Sequence, residues 1–470
     1  MSFLAILPIL PTLGGVVWAL AGLAGLLLSL LHPRSWRMWG ALLHSQWRGL
    51  AVLAAAALVA YGAWTLWGGA APSPSAAAVE LALDGWPMIR GSLSRTGCTG
   101  GPGPSAGGVE WTGRSDYEFL GSPAVSGPYV VAIGSRGDAA RCFCWEAATG
   151  REVWSGAPHG YRQTLSSPIL VQGRIYCGEG VHRTPRSRVL CLDPSREREP
   201  VVWELATNSH VECTPAYAEG CLYVAAGDDG VYALEAATDS ESSPTSLGSS
   251  GLAPRVRWHV PGPVLPDAET ALAVHDDRVY VGLGYDTPAL VMLDAATGRE
   301  LAREGLPLPA FAPPTLFAGG WLLGLGPGNL ITAPTAGAGE IRWIDPETLR
   351  LRWRVPTTAS VVNAAAVAGD IAIVTVADGT VLAVTAEGEV ARSWRAFAPV
   401  LAAAAIAEPF VYIVSQDGLL TALDLATFAP RWNVRLGPPG RYLSSPVVHQ
   451  GRVYVGTPAG LMCVGRVESP

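Results

Sequence analysis

The 470-residue sequence predicts an all-β, eight-bladed β-propeller of four-stranded blades, preceded by an α-helical two-helix transmembrane hairpin. Three observations carry this. Two long apolar stretches, residues 3–31 and 50–71, precede the first acidic residue, Glu80. A phrase then recurs seven times: an apolar pair, an acid, a short turn often reading Ala-Thr-Gly, and a strand usually ending in Trp. Each phrase follows a pair of strand-like segments, so a unit holds four strands, and units repeating every 40–50 or so residues are propeller blades.

Composition narrows function first. The net charge is −7 without a long basic run, so nucleic acid is not an expected partner. All 32 basic residues are Arg, which excludes a P-loop lysine, a Schiff-base lysine and a kinase-type ATP lysine. Charged residues make up 15% of the chain against about a quarter in soluble domains, so part of it is expected outside water.

That part is residues 1–71. About 20 apolar residues span a bilayer core, so residues 12–31, beyond Pro8 and Pro11, and residues 50–70 read as the two helices. The loop between them holds Arg34, Arg37 and Arg48, no acid, and the interfacial Trp36, Trp39 and Trp47. Short Arg-rich loops stay cytoplasmic, which places the rest of the chain outside an inner (cytoplasmic) membrane, on its periplasmic side. Residues 72–83 read as a flexible linker rich in Pro, Ser and Ala, and 84–108 as a lead-in segment. All eight Cys lie beyond the linker, from Cys98 to Cys463, in a compartment that permits disulfides.

The propeller spans 109–467. Its recurring phrases end at Trp154, Trp203, Trp258, Trp353, Trp394 and Trp432, while the copy from Met292 lacks the Trp. Asp229-Gly230, Asp378-Gly379 and Asp417-Gly418 are hairpin signals, because both turn residues need positive φ. The last unit lacks a closing strand, and Val109-Glu110-Trp111 is expected to supply it, pairing near Leu461–Val464. The 359 residues give about 45 for each of eight blades, whereas seven would need about 51.

These repeats resemble the pyrroloquinoline-quinone-type propeller repeat shared by quinoprotein dehydrogenases and outer-membrane protein assembly factor B, over residues 84–467. Gly85–Gly97, GWPMIRGSLSRTG, resembles the lead-in of membrane-linked members. For the dehydrogenases the resemblance implies a quinone held by a vicinal disulfide and a Trp floor, with calcium on Glu, Asn and Asp. No two cysteines here are adjacent, and no such calcium set is recognisable. For the assembly factor it implies a lipobox cysteine, in place of which this chain carries the helices.

Other chemistry is not expected. Cys144, Cys191 and Cys463 share a repeat slot with Ala233, Ala383 and Ala422, which reads as buried packing. No His falls in HExxH or a Cys/His zinc spacing, so no metal site is expected. Gly324–Asn329 reads as a turn between strands rather than a dinucleotide loop.

One surface stands out. The loop after Gly178 carries His182, Arg183, Arg186 and Arg188; the connection into its blade carries His159, Tyr161 and Arg162; the previous blade's loop carries Arg136 and Arg141. In a propeller these share one face, and they are expected to converge over blades 1 and 2, either as a solvated basic surface or as a patch for an acidic partner, polymer or lipid headgroup. Arg162, Arg183, Arg186 and Arg188 are expected to engage it as exposed charges whose removal leaves folding unchanged. The sequence therefore reads as a non-enzymatic extracytoplasmic scaffold without quinone or calcium, partnered by other membrane or periplasmic proteins and anchored in the bilayer. The alternatives are a divergent quinoprotein oxidoreductase and an accessory subunit of a larger membrane complex.

Overall fold

The computed structural model describes residues 85–182, 184–196, 199–236, 247–248, 251–331 and 335–465. Among them no helix is long and apolar enough to cross a membrane. The proposed spans 3–31 and 50–71, their Arg loop and the 72–83 linker lie outside the described residues.

Alternating β-branched and aromatic residues build eight four-stranded antiparallel blades, inner strand to outer. Blade 1 runs from Ala124–Ser126 out to Glu152–Gly156, and blade 2 from Ile169–Val171 to Val201–Ala206. Blade 3 runs from Ala216–Ala218 to Val256–Val260, and blade 4 from Ala273–His275 to Glu300–Gly305. Blade 5 runs from Thr315–Phe317 to Leu351–Thr357, blade 6 from Ala366–Ala368 to Val390–Arg395, and blade 7 from Ala405–Ala407 to Pro430–Arg435. Blade 8 takes its inner three strands from the end of the described chain, Val447–His449 to Gly460–Gly465. Its outer strand, Gly108–Gly113, comes from the start, with Val109 opposite Val464 and Trp111 opposite Cys463.

Every blade carries a β-bulge at the same place, one extra residue in the outer strand just before the position facing one third-strand slot, which is small in six blades and holds Met292 in blade 4 and Trp343 in blade 5. Cys144 faces Trp154, Cys191 faces Trp203, Ala233 faces Trp258, Ala422 faces Trp432 and Cys463 faces Trp111. The bulge strengthens twist and aims the Trp at the neighbouring blade. Trp111, Trp258 and Trp353 donate their indole N–H to Ala147, Ala295 and Ala386 at 3.1, 2.9 and 2.8 Å, each in the next blade's Ala-Thr-Gly-type turn. The turn glycine beneath is required: a Cβ on Gly298, at φ 71°, would lie 2.7 Å from the Trp258 ring. Blade 4 has Ala302 in this position and blade 6 has Arg392, with Trp394 two pairs further along.

Nearer the axis, hydroxyls link the blades. Two residues before the inner strand, Ser122, Ser167, Thr214 and Ser445 each accept the corresponding N–H of the preceding blade, giving Ala403→Ser445→Ser122→Ser167→Thr214 at 2.9–3.0 Å. The chain stops where blades 4–6 carry Ala271, Pro313 and Ala364.

The lead-in makes one circuit of the inner strands. Trp86 pairs with Val125 of blade 1. The carbonyls of Pro87, Ser94, Thr96 and Gly97 then accept the central N–H of the inner strands of blades 2, 5, 6 and 7, from Leu170, Leu316, Val367 and Ile406, at 2.7–3.0 Å. Met88 and Leu93 fill the gap against blades 2–4, and Pro102 accepts the N–H of Gly451 in blade 8. Pro104 then accepts the indole N–H of Trp432 at 3.2 Å, and a Cβ on Gly107 would lie 2.4 Å from that ring. Residues 104–107 thus do for blade 8 what the Ala-Thr-Gly turn does elsewhere.

Trp258 is buried between blades 3 and 4. Trp258→Ala is expected to lower unfolding stability by about 3–5 kcal/mol, as large core truncations do. Phe397→Ser, at a side chain 99% exposed, is expected to stay within about 0.5 kcal/mol. Denaturant titration checks both, and equal effects would contradict the interlocking role of the Trp.

Candidate functional site

Inter-blade connections and the loops between second and third strands share the upper face. Gln163 N–H donates to Asp138 at 2.7 Å, and Gly227 bridges Ala268. The residue four before each inner strand forms a layer of this face: Leu120, Leu165, Glu212, Glu269, Phe311, Val362, Leu401 and Leu443. Leu120, Val362, Leu401 and Leu443 pack in one cluster with Leu165 against it, although they come from blades 1, 2, 6, 7 and 8, so they surround the axis. In blades 3 and 4 two glutamates interrupt this apolar collar.

Around those glutamates the loops of blades 2–4 gather. Glu269 Oε1 lies 2.6 Å from His182 Nδ1 and 2.9 Å from His210 Nε2. The two imidazoles stand edge to face, 5.4 Å apart. Glu269 Oε2 is buried without a hydrogen-bond partner among the described residues. The His182 N–H donates to Glu212 at 2.7 Å, Ser209 Oγ lies 3.1 Å from His210 Nδ1, and the Cys213 thiol donates to the Glu269 carbonyl. One ligand atom from each of His182, His210 and Glu269 lies within 4.8 Å of the others. Above them a cavity of about 490 Å³ is lined by His182, Asn208, His210, Asp228, Asp267 and Asp286, among others.

The site carries more acid than base. Burial and the Glu269 charge push the Glu212 carboxyl well above its ordinary range. Burial and Glu269 push Asp267 up to about 7. Burial also opposes the Glu269 charge, but the hydrogen bonds and charges of His210 and His182 outweigh it and hold that carboxyl low. Burial disfavours charge on His210 too, yet its Glu269 hydrogen bond and the surrounding carboxylates raise its pKa. Three packed carboxyls with two imidazoles among them make this a cation-favouring cavity.

The residues singled out in the sequence divide. His159, Tyr161, Arg162, Arg186 and Arg188 gather around buried Glu179. Arg188 holds both Glu179 oxygens at 2.8 Å, Glu204 at 3.0 Å and the His159 carbonyl at 3.2 Å. The backbone N–H of Arg162 donates to Glu179 at 3.0 Å, and its guanidinium to the Pro185 carbonyl at 3.3 Å and to that of Arg186. Tyr161 is buried, its hydroxyl donating to the Gly178 carbonyl at 3.0 Å. Arg186 is exposed, and Arg183 lies outside the described residues. Arg136 pairs instead with Asp116 at 3.4 Å and covers Tyr117, and Arg141 donates to the Ser155 carbonyl at 3.0 Å. His182 turns away to Glu269. The expectation that Arg188 is a dispensable exposed charge fails, because it neutralises Glu179, whose side chain is 2% exposed. Likewise, local spacing gave no metal-ligand set, yet the fold joins residues 28 and 59 positions apart. The signal that sequence reasoning missed is Glu212 and Glu269 at a repeat position that is apolar in the other six blades.

The ring, its bulged Trp strands and its borrowed closing strand define a repeat propeller of the quinoprotein-like type. The family model for outer membrane protein assembly factor BamB matches residues 178–310, 290–398 and 391–464, and the chain belongs to this family. No curated protein matches the chain. Among solved structures, a quinohemoprotein alcohol dehydrogenase from Comamonas testosteroni aligns with TM-score 0.62 at 12% identity, over 84% of this chain and 82% of its own. BamB from Moraxella catarrhalis aligns with TM-score 0.57 at 15% identity, over 76% and 97%. The computationally designed Ika8 protein aligns with TM-score 0.57 at 17% identity, over 77% and 100%. At these identities the likeness is one of fold.

Arg188→Ala leaves Glu179 without its two-point partner and is expected to cost about 3–5 kcal/mol of stability. Arg136→Ala, at an exposed pair, is expected to cost under about 1 kcal/mol. Paired denaturation curves check this; indistinguishable midpoints would return Arg188 to the surface patch.

Proposed function

We propose that this chain is a membrane-anchored, non-enzymatic scaffold whose propeller presents an interaction face outside the inner membrane. Residues 3–31 and 50–71 lie in the bilayer in this reading, and the Arg34–Arg48 loop is cytoplasmic. The observation that carries it is membership of a family described by an assembly factor, combined with the make-up of the upper face. Val264, Tyr285, Ile331 and Phe397 are exposed apolar residues, and all lie on upper-face connections and loops of blades 3–7. Fixed strands beneath movable loops suit recognition of membrane or periplasmic proteins.

The quinoprotein alternative receives less support. Its calcium would ask for oxygen ligands, whereas the donor set over blades 2–4 contains two imidazoles, and the axial collar nearby is apolar. This donor set and collar support the scaffold reading over the quinone–calcium arrangement. All eight cysteines are free, seven of them buried.

With the half-buried Cys98 replaced by Ser, the seven buried thiols give a clean background for labelling. A membrane-impermeant maleimide on intact cells is expected to label Phe397→Cys and to leave Ser45→Cys unlabelled; the opposite pattern would reverse the topology. A photo-crosslinking residue at position 397 is expected to capture a discrete membrane or periplasmic protein that one at Glu387, on the opposite face, does not. Equal capture from both positions would contradict the proposed face.

A further inference from the structure

His182 sits on a loop of blade 2, His210 on the connection into blade 3 and Glu269 on the connection into blade 4. The scaffold reading asks nothing of them. Each is nevertheless held from behind: Ser209 Oγ faces His210 Nδ1 at 3.1 Å, leaving Nε2 toward Glu269, and the His182 backbone is fixed by Glu212 at 2.7 Å. Both imidazoles converge on a single oxygen, while the second oxygen of Glu269 is buried with no partner among the described residues. Burying a carboxylate oxygen unpaired is costly, and a cation relieves the cost.

We propose that His182 Nδ1, His210 Nε2 and the Glu269 carboxylate form a binding site for a divalent transition-metal cation of the zinc class, with its fourth position open to the 490 Å³ cavity. Two imidazoles and one carboxylate plus an open position is a donor set zinc accepts, and imidazole favours zinc, copper or nickel over calcium or magnesium. Ligand bonds of about 2.0–2.1 Å place tetrahedral donors about 3.3 Å apart, so the ion enters by replacing the imidazole–carboxylate hydrogen bonds after a small separation of the loops. The Ser209–His210 contact is the outer interaction that fixes tautomer and ring orientation at such sites. Carboxylates from Asp228, Asp267 and Asp286 line the cavity and favour an incoming cation over an anion. Cys213, the nearest thiol, donates to the Glu269 backbone and is not a ligand.

The test uses the full chain in detergent, stripped with a chelator and titrated with zinc and, separately, with cobalt(II). One zinc per chain is expected, with a cobalt spectrum of tetrahedral nitrogen–oxygen ligation lacking a thiolate charge-transfer band. Glu269→Gln and His210→Ala are each expected to weaken zinc at least tenfold, and Ser209→Ala about tenfold. Far-ultraviolet circular dichroism monitors folding of the variants, and the wild-type cobalt spectrum stands even where a variant does not fold. Absence of stoichiometric zinc, a thiolate band, preferential binding of calcium, or unchanged affinity in folded Glu269→Gln and His210→Ala would each overturn the assignment.

Discussion

Eight sheets arranged in a circle touch only their neighbours, and a sheet with a missing neighbour or strand exposes both an apolar flank and an unpaired edge. Ring closure is therefore the constraint from which the rest follows. Gly108–Gly113 completes blade 8, so the first and last described parts of the propeller share one sheet. The junction reproduces the ordinary inter-blade lock at both sides. Trp111 reaches forward to Ala147 of blade 1, and Trp432 of blade 7 rests on Pro104 and Gly107 where an Ala-Thr-Gly turn would otherwise stand. Because third and outer strands of blade 8 come from opposite ends of the chain, no turn joins them, and the lead-in supplies that surface.

Closure also governs the axis. The inner strands direct N–H groups toward the centre of the ring, and buried donors need partners. The lead-in carbonyls provide them at blades 2, 5, 6 and 7 and a short strand pairing provides one at blade 1. On the upper face the axis is treated differently, by an apolar collar with two glutamates in it. Loops of three consecutive blades converge there because the connections of a propeller all rise on the same side. Rigid strands thereby hold His182, His210 and Glu269 together although 87 residues separate the first from the last.

The blade repeat was legible because its signals are local. The closing Trp and the Ala-Thr-Gly turn each correspond to one interaction: the bulged lock and the glycine beneath it. Blade 4 was faint because Ala302 replaces the Trp. The circuit of the lead-in was not legible, since it uses backbone carbonyls that any residue could offer and its segments are too short to alternate. Arg188 was misread although Glu179 stood in the same loop, because the pairing depends on how that loop folds back. The cation-favouring site was hidden for a similar reason: its residues have no spacing motif, and only a comparison of equivalent repeat positions makes Glu212 and Glu269 conspicuous.

The closed ring with its encircling lead-in is most directly tested by native-state hydrogen exchange, resolved to single amides in the full chain. The amides of Trp111, Leu170, Leu316, Val367 and Ile406 are expected to exchange only through global unfolding, with the same opening free energy as core amides such as Val131 and Val455. Exchange of Leu316, Val367 and Ile406 at the rate of surface loops, with Trp111 equally unprotected, would contradict a lead-in that seals the inner strands and a strand that closes the ring.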